Sequence, residues 1–194
     1  MDNSSLIKSP ISEELEDFKK LFESTLSSSN LLLNSVIAHI RQKNGKMMRP
    51  ILVLLAAKLF GKVCPATLHA AVALELLHNA SLVHDDVVDE STERRGQLSV
   101  NAIFNNKVAV LAGDYLLATA LVQVGMTRNH DIIDIVSCLG QVASFVSTTI
   151  TPAAFQRQQS PFLRGSLFRR YPQEDGRALC SLYEGGRSLG GSQR

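Results

Sequence analysis

The stretch His84-Asp85-Asp86-Val87-Val88-Asp89-Glu90 packs carboxylates directly behind a largely apolar run, Ala73 to Val83. On a helix turning about 100° per residue, Asp85 and Asp89 point about 40° apart and Asp86 about 60° beyond Asp89. Like charges at that spacing repel and lower helix stability. At a helix C-terminus they also oppose the macrodipole. A hard divalent cation offsets the repulsion, because Mg²⁺ favours carboxylate oxygens and takes waters and substrate phosphates as its other ligands. The plain alternative is a solvated acidic helix end. His78 lies two turns before Asp85 and about 20° from it, with Ser81 one turn before. His78, Ser81, Asp85 and Asp89 therefore share a stripe. A lone His is most often a packed core residue; here it shares a face with a candidate metal site.

Basic residues flank the acid. Gly45-Lys46-Met47-Met48-Arg49-Pro50 sets Lys46 and Arg49 beside a glycine turn, just before a helix start. Cations, free amides and the helix dipole all favour an anion there. Glu93-Arg94-Arg95-Gly96 supplies two more cations soon after the carboxylates. A paired arginine is often mere surface charge, and a GKxxR pattern arises by chance. Acid between two basic clusters, in contrast, fits a metal-bound polyphosphate: carboxylates hold Mg²⁺, and Lys and Arg take the remaining phosphate oxygens.

Helices must position these groups. Pro10 and Ser12 before Glu13-Glu14 predict a capped helix start. Leu15, Phe18, Phe22 and Leu26 then recur at helical spacing, Ser27 to Ser29 interrupt, and Leu33, Val36, Ile37 and Ile40 resume. Asn44-Gly45 predicts a stop. Pro50 suits the first turn of a helix over Ile51 to Phe60, ended by Gly61. Pro65 and Thr67 open a long helix to about Asp89, and Arg94-Arg95-Gly96 predicts a loop. Further helices are predicted from about Asn106 to Val124 and from Ile132 to Val142. No period-2 strand and no internal repeat is evident, so the expected class is all-α.

The 194 residues are 45% apolar, enough for one domain with a core. A formal charge of +2 gives no argument for a nucleic-acid partner. Cys64, Cys138 and Cys180 lack metal or CxxC spacing and are expected to be reduced thiols. The first ten residues carry no signal-peptide pattern, and no apolar run is expected to reach the ~20 residues of a membrane span. The expected location is cytoplasmic.

After about residue 143 the composition changes. Residues 151–194 hold seven Arg and no Lys, while all eight Lys lie at or before position 107. Six of the twelve Gly and three of the six Pro are here, and only 14 of the 44 residues are apolar. Two readings stand: a disordered basic tail, or an aberrant sequence from a change of reading frame. The expected division is 1–142 as a truncated domain and 143–194 as an Arg-, Gly- and Ser-rich tail.

The segments GKMMRP, LELLHNASLVHDDVVDESTERRGQLSVN and AVLAGDYLLATAL, in that order and spacing, resemble the amino-terminal half of trans-isoprenyl diphosphate synthases, the polyprenyl synthetase family, closest to the bacterial long-chain type. The resemblance covers about residues 12–142. It implies the first part of a helical bundle around a deep cavity, in a family whose intact members are commonly homodimers. It implies that Asp85, Asp86 and Asp89 bind Mg²⁺ and the allylic diphosphate, with Arg94 holding that diphosphate too. Lys46, Arg49, His78 and Arg95 would bind isopentenyl diphosphate. The implied reaction is the 1′-4 condensation of isopentenyl diphosphate with an allylic diphosphate, giving a polyprenyl diphosphate. Ala80 and Ser81 would form the chain-length floor, and their small size implies a product longer than C15. A second aspartate-rich motif and a downstream Lys are missing, so weak or no turnover is expected of the chain alone. Two other readings are a non-catalytic subunit pairing with a complete synthase, and a relative of terpene cyclases. The early GKxxR and the Arg94-Arg95 pair favour the elongating branch, because a cyclase needs no isopentenyl diphosphate site.

Overall fold

The computed structural model describes residues 3–42, 47–94 and 96–150, with 3–5 and 142–150 described by backbone alone. Its elements in order are α1 (Asn3–Lys8), a 3-10 turn (Ser9–Ile11), α2 (Ser12–Thr25), α3 (Leu31–Gln42), α4 (Met48–Phe60), α5 (Pro65–Val88), β1 (Glu93–Arg94), β2 (Gln97–Leu98), α6 (Val100–Phe104), α7 (Asn106–Met126) and α8 (His130–Ile150). The all-α expectation is met, with one departure. Arg94 sits not in a plain loop but in a two-residue antiparallel hairpin, pairing Glu93 with Leu98 and Arg94 with Gln97. Gly96, at φ +75°, supplies the left-handed residue of its turn.

Local chemistry sets most boundaries. Glu13 and Glu14 lie in the first turn of α2, but Ser12 is its first helical residue and caps nothing. At α5, Pro65 occupies the first turn and the Cys64 backbone N–H donates to Thr67 Oγ1 at 3.3 Å, a side-chain cap in reverse. Asp89 is the C-cap, its N–H donating to Asp85 O at 2.8 Å. α8 continues to Ile150, eight residues past the expected boundary at 142. Cys64 and Cys138 form no disulfide among the described residues. Cys180 and the tail from residue 151 lie outside the described residues, as does the Asn44-Gly45 stop.

α5 is the central element and packs against α2, α4, α6, α7 and α8. Its α2 and α4 side meets Phe18, Phe22, Ile51 and Leu54 around Val72 and Leu76. The Phe18 and Phe22 rings stack with centroids 5.7 Å apart. Each such side chain, fully buried, contributes about 1.5–3 kcal/mol relative to exposure. Toward α7, α5 carries small residues such as Ala80 and meets Ala109, Ala112, Gly113 and Ala120, all buried on α7. Small residues on both faces let the two backbones approach closely.

α7 bears on the expectation of no membrane span. It spans 21 residues and is long and apolar enough to cross a membrane by length and composition; it is the one such helix among the described residues. Lys107 and Asp114 break up its apolar sequence, so no uninterrupted apolar run in it approaches that length. Buried residues make up 39% of the apolar window and include Ala109, Ala112, Gly113, Leu116 and Ala120, on the side that packs against α5. Its other side exposes Leu111, Val122 and Met126.

Candidate functional site

A cavity of about 660 Å³ opens between α5, α7 and α8. α5 presents Leu77, Ala80, Ser81, His84, Asp85 and Val88 to it. These recur at the i, i+3, i+4, i+7 spacing of one helix face. Leu117, Leu121 and Val124 of α7 face them, and Val136 and Gly140 of α8 close the side. The lining is apolar apart from a few groups, with Asp85 the carboxylate among them. Ala80 and Ser81 are therefore both on the cavity wall. Ser81 Oγ donates back to His78 O at 2.8 Å, so its hydroxyl is already bonded within the helix. His78 is half-buried on α5 but not among the lining residues.

The three aspartates separate. Helix rotation at about 100° per residue places Asp86 almost opposite the cavity-lining face. There it is buried, and Arg94 Nε donates to its Oδ1 at 2.6 Å. A buried carboxylate without such a partner would carry a large desolvation cost. Asp89, one turn beyond Asp85, is exposed at the helix end. Among the described residues, no three carboxylate, His or Cys side chains stand together as a ready cation cage. Asp85 and Asp89 have no ion-pair partner among the described residues. Two carboxylates one turn apart fit Mg²⁺, which is commonly bound by one or two carboxylates with phosphate and water completing its shell.

The segment after α5 is fastened by side chains. Ser91 N–H and Asn101 Nδ2 both donate to Asp86 O, at 2.9 and 3.2 Å. Asn101 Nδ2 and Ser99 Oγ donate to Ser91 O at 3.0 and 2.7 Å. His39 Nε2 donates to Leu98 O at 2.9 Å, tying β2 to α3. Together these bonds and the Arg94–Asp86 pair hold the hairpin against the end of α5. Arg49 is exposed on the first turn of α4. Lys46 and Arg95 lie outside the described residues.

The fold thus gathers Asp85, Ala80 and Ser81 on one cavity and joins Asp86 to Arg94. Sequence reasoning did not pick out His84, nor the α7 and α8 residues of the far wall. His84 had a signal in its place beside Asp85; the far wall had none short of knowing which helices pack together.

Comparison with known proteins gives the same outline. The polyprenyl synthetase family model matches residues 30–145. The chain is 44% identical over 117 residues to an all-trans-nonaprenyl-diphosphate synthase (geranyl-diphosphate specific) of Rhodobacter capsulatus, covering 59% of this chain and 35% of that one. It is 38% identical over 126 residues to heptaprenyl diphosphate synthase component 2 of Geobacillus stearothermophilus, covering 63% and 39%. The crystal structure of geranylgeranyl pyrophosphate synthase from Bacteroides thetaiotaomicron superposes with a TM-score of 0.69 at 48% identity, over 97% of this chain and 55% of that one. The chain therefore spans less than half the length of these two curated relatives. On the matched segment and the shared fold, the chain belongs to the polyprenyl synthetase family.

Proposed function

We propose that this chain carries the first half of a Mg²⁺-dependent prenyltransferase site, for the 1′-4 condensation of isopentenyl diphosphate with an allylic diphosphate to a polyprenyl diphosphate. The observation that supports it is Asp85 on an apolar cavity of about 660 Å³ walled by Ala80 and Ser81. A carboxylate at an apolar cavity suits an amphiphile with a charged head and a hydrocarbon tail. Asp85 and Asp89 would hold Mg²⁺, with Asp86 acting through Arg94. Bound Mg²⁺ supplies charge stabilisation to the diphosphate as it leaves. Arg94 holds the allylic diphosphate, and Lys46, Arg49, His78 and Arg95 hold isopentenyl diphosphate. The allylic C–O bond breaks to give a carbocation and diphosphate. The alkene of isopentenyl diphosphate attacks that cation, and loss of a proton restores a double bond. Ala80 and Ser81 leave room for the growing chain, consistent with a product longer than C15. The expected location is cytoplasmic. On composition, the Arg-, Gly- and Ser-rich sequence after about residue 143 is read as a tail to the synthase-like domain; translating the coding DNA around codons 140–150 in the other frames tests whether it is aberrant.

The deciding experiment is Mg²⁺-dependent binding of farnesyl diphosphate to the purified chain, with incorporation of labelled isopentenyl diphosphate measured alongside. Binding with weak or no turnover is the expected result. No Mg²⁺-dependent binding overturns the reading.

A second reading has its own support. A relative is named as component 2 of a synthase, and α7 exposes an apolar face. On this reading the chain is a subunit that pairs with a complete synthase or with a second copy. Co-purification with a full-length synthase, without activity alone, would favour it.

A further inference from the structure

Gly113 stands in the middle of α7, where glycine is a poor helix former. It is not at a positive φ, so the backbone does not require it. What occupies the space beside it is the ring of His84. A Cβ at position 113 would lie 2.2 Å from His84 Nε2, 2.4 Å from Cδ2 and 2.9 Å from Cε1. The ring rests directly on bare backbone, at a distance no other residue type permits without displacing it. It is also fastened there. Nε2 donates to Val110 O at 3.2 Å, and Asp114 Oδ1 lies 3.4 Å from the same nitrogen. A bond to a backbone carbonyl of α7 fixes the ring's place along that helix. Contact with Gly113 fixes its depth.

His84 immediately precedes Asp85, and both line the cavity. We propose that His84 is a positioning residue: seated on Gly113 and bonded to Val110 O, its ring sets the separation and rotation of α5 against α7, and so the aim of Asp85 into the cavity. This rests on the reading of Asp85 as a holder of Mg²⁺ and diphosphate. Such a site must be held within about 0.5 Å and 10–20° of its working geometry, so a small roll of α5 is enough to lose it. Glycine at 113 is then explained by the ring it admits.

The test uses four full-length proteins: wild type, Gly113→Ala, His84→Ala and the double variant. Each is measured for thermal midpoint and for affinity for farnesyl diphosphate in the presence of Mg²⁺. Gly113→Ala is expected to weaken binding by about tenfold, the size typical of losing a group that orients a metal ligand. His84→Ala also weakens it. In the His84→Ala background, Gly113→Ala should leave affinity unchanged and raise the midpoint, because the clash is gone and alanine favours the helix. Three outcomes overturn the positioning role: equal loss of affinity from Gly113→Ala in both backgrounds, no loss in either, or coupling in the midpoint without coupling in affinity. Failure of the wild type itself to bind farnesyl diphosphate with Mg²⁺ overturns the site reading, and the positioning role with it.

Discussion

Asp85 and Asp86 are neighbours in sequence and point about 100° apart on α5. One lines an apolar cavity; the other is buried against Arg94. They should fail differently when altered. Arg94→Met leaves a buried carboxylate without its cation, which typically costs about 3–5 kcal/mol, read as a lower urea midpoint. Asp85→Asn removes a carboxylate from the cavity rim and should change stability by no more than about 0.5 kcal/mol, while abolishing Mg²⁺-dependent farnesyl diphosphate binding. Equal stability losses in both variants would erase the distinction. The motif was legible from residue types and spacing, but the split was not. Helical angles place the three carboxylates within one arc, yet where the cavity falls on that arc depends on α7 and α8. A related outcome concerns Ala80 and Ser81, both on the cavity wall. Phe installed at the matching positions of an active full-length relative should shorten its product, measured by chromatography of the prenyl alcohols; unchanged chain length sinks the floor assignment.

At the scale of elements, helix starts and stops that depend on neighbouring residues were readable. Pro65 with Thr67 opens α5, Gly61 closes α4 and the apolar period of α2 carries its buried face. The hairpin and α6 were not, because distant partners hold them: Asp86 O for Asn101, Leu98 O for His39. Long-range ties of the same kind give a pH prediction. Lys58 Nζ donates to Glu14 Oε1 and joins α4 to α2. That bond holds the Glu14 carboxyl below its ordinary value. A carboxyl that releases its proton more readily when folded stabilises the fold at pH above its unfolded value, about 4.3. That contribution is lost as pH falls through the lower folded value. Lys58→Met is expected to cost about 0.5–1 kcal/mol near pH 7. The difference from wild type should vanish at pH below the folded value. Thermal midpoints of the two proteins across this range check it; a gap that persists into strong acid rules out the carboxylate as its source.

At the scale of the molecule, the described part of the chain has a built core around α5 and uncovered apolar surface elsewhere. Leu31 is 83% exposed, Leu59 75% and Leu111 68%. Val122 and Met126 extend the α7 face along one side. Scattered exposed leucines are ordinary, but a contiguous apolar helix face marks a surface made to be covered. The chain also spans less than half of the two curated relatives it was compared with, and its cavity is walled by three helices, α5, α7 and α8. A transferase site has to close around the cation it generates, because water reaching the cation ends the reaction. These facts converge on one expectation: at micromolar concentration the purified chain associates with itself or with a synthase partner, and alone it turns over far more slowly than a complete synthase. Light scattering after size-exclusion chromatography reads the first part, and incorporation of labelled isopentenyl diphosphate into farnesyl diphosphate reads the second. A stable monomer would show that the apolar face of α7 needs no cover. Turnover at the rate of a complete synthase would show that one wall of carboxylates and a three-helix cavity suffice, and would overturn the half-site reading.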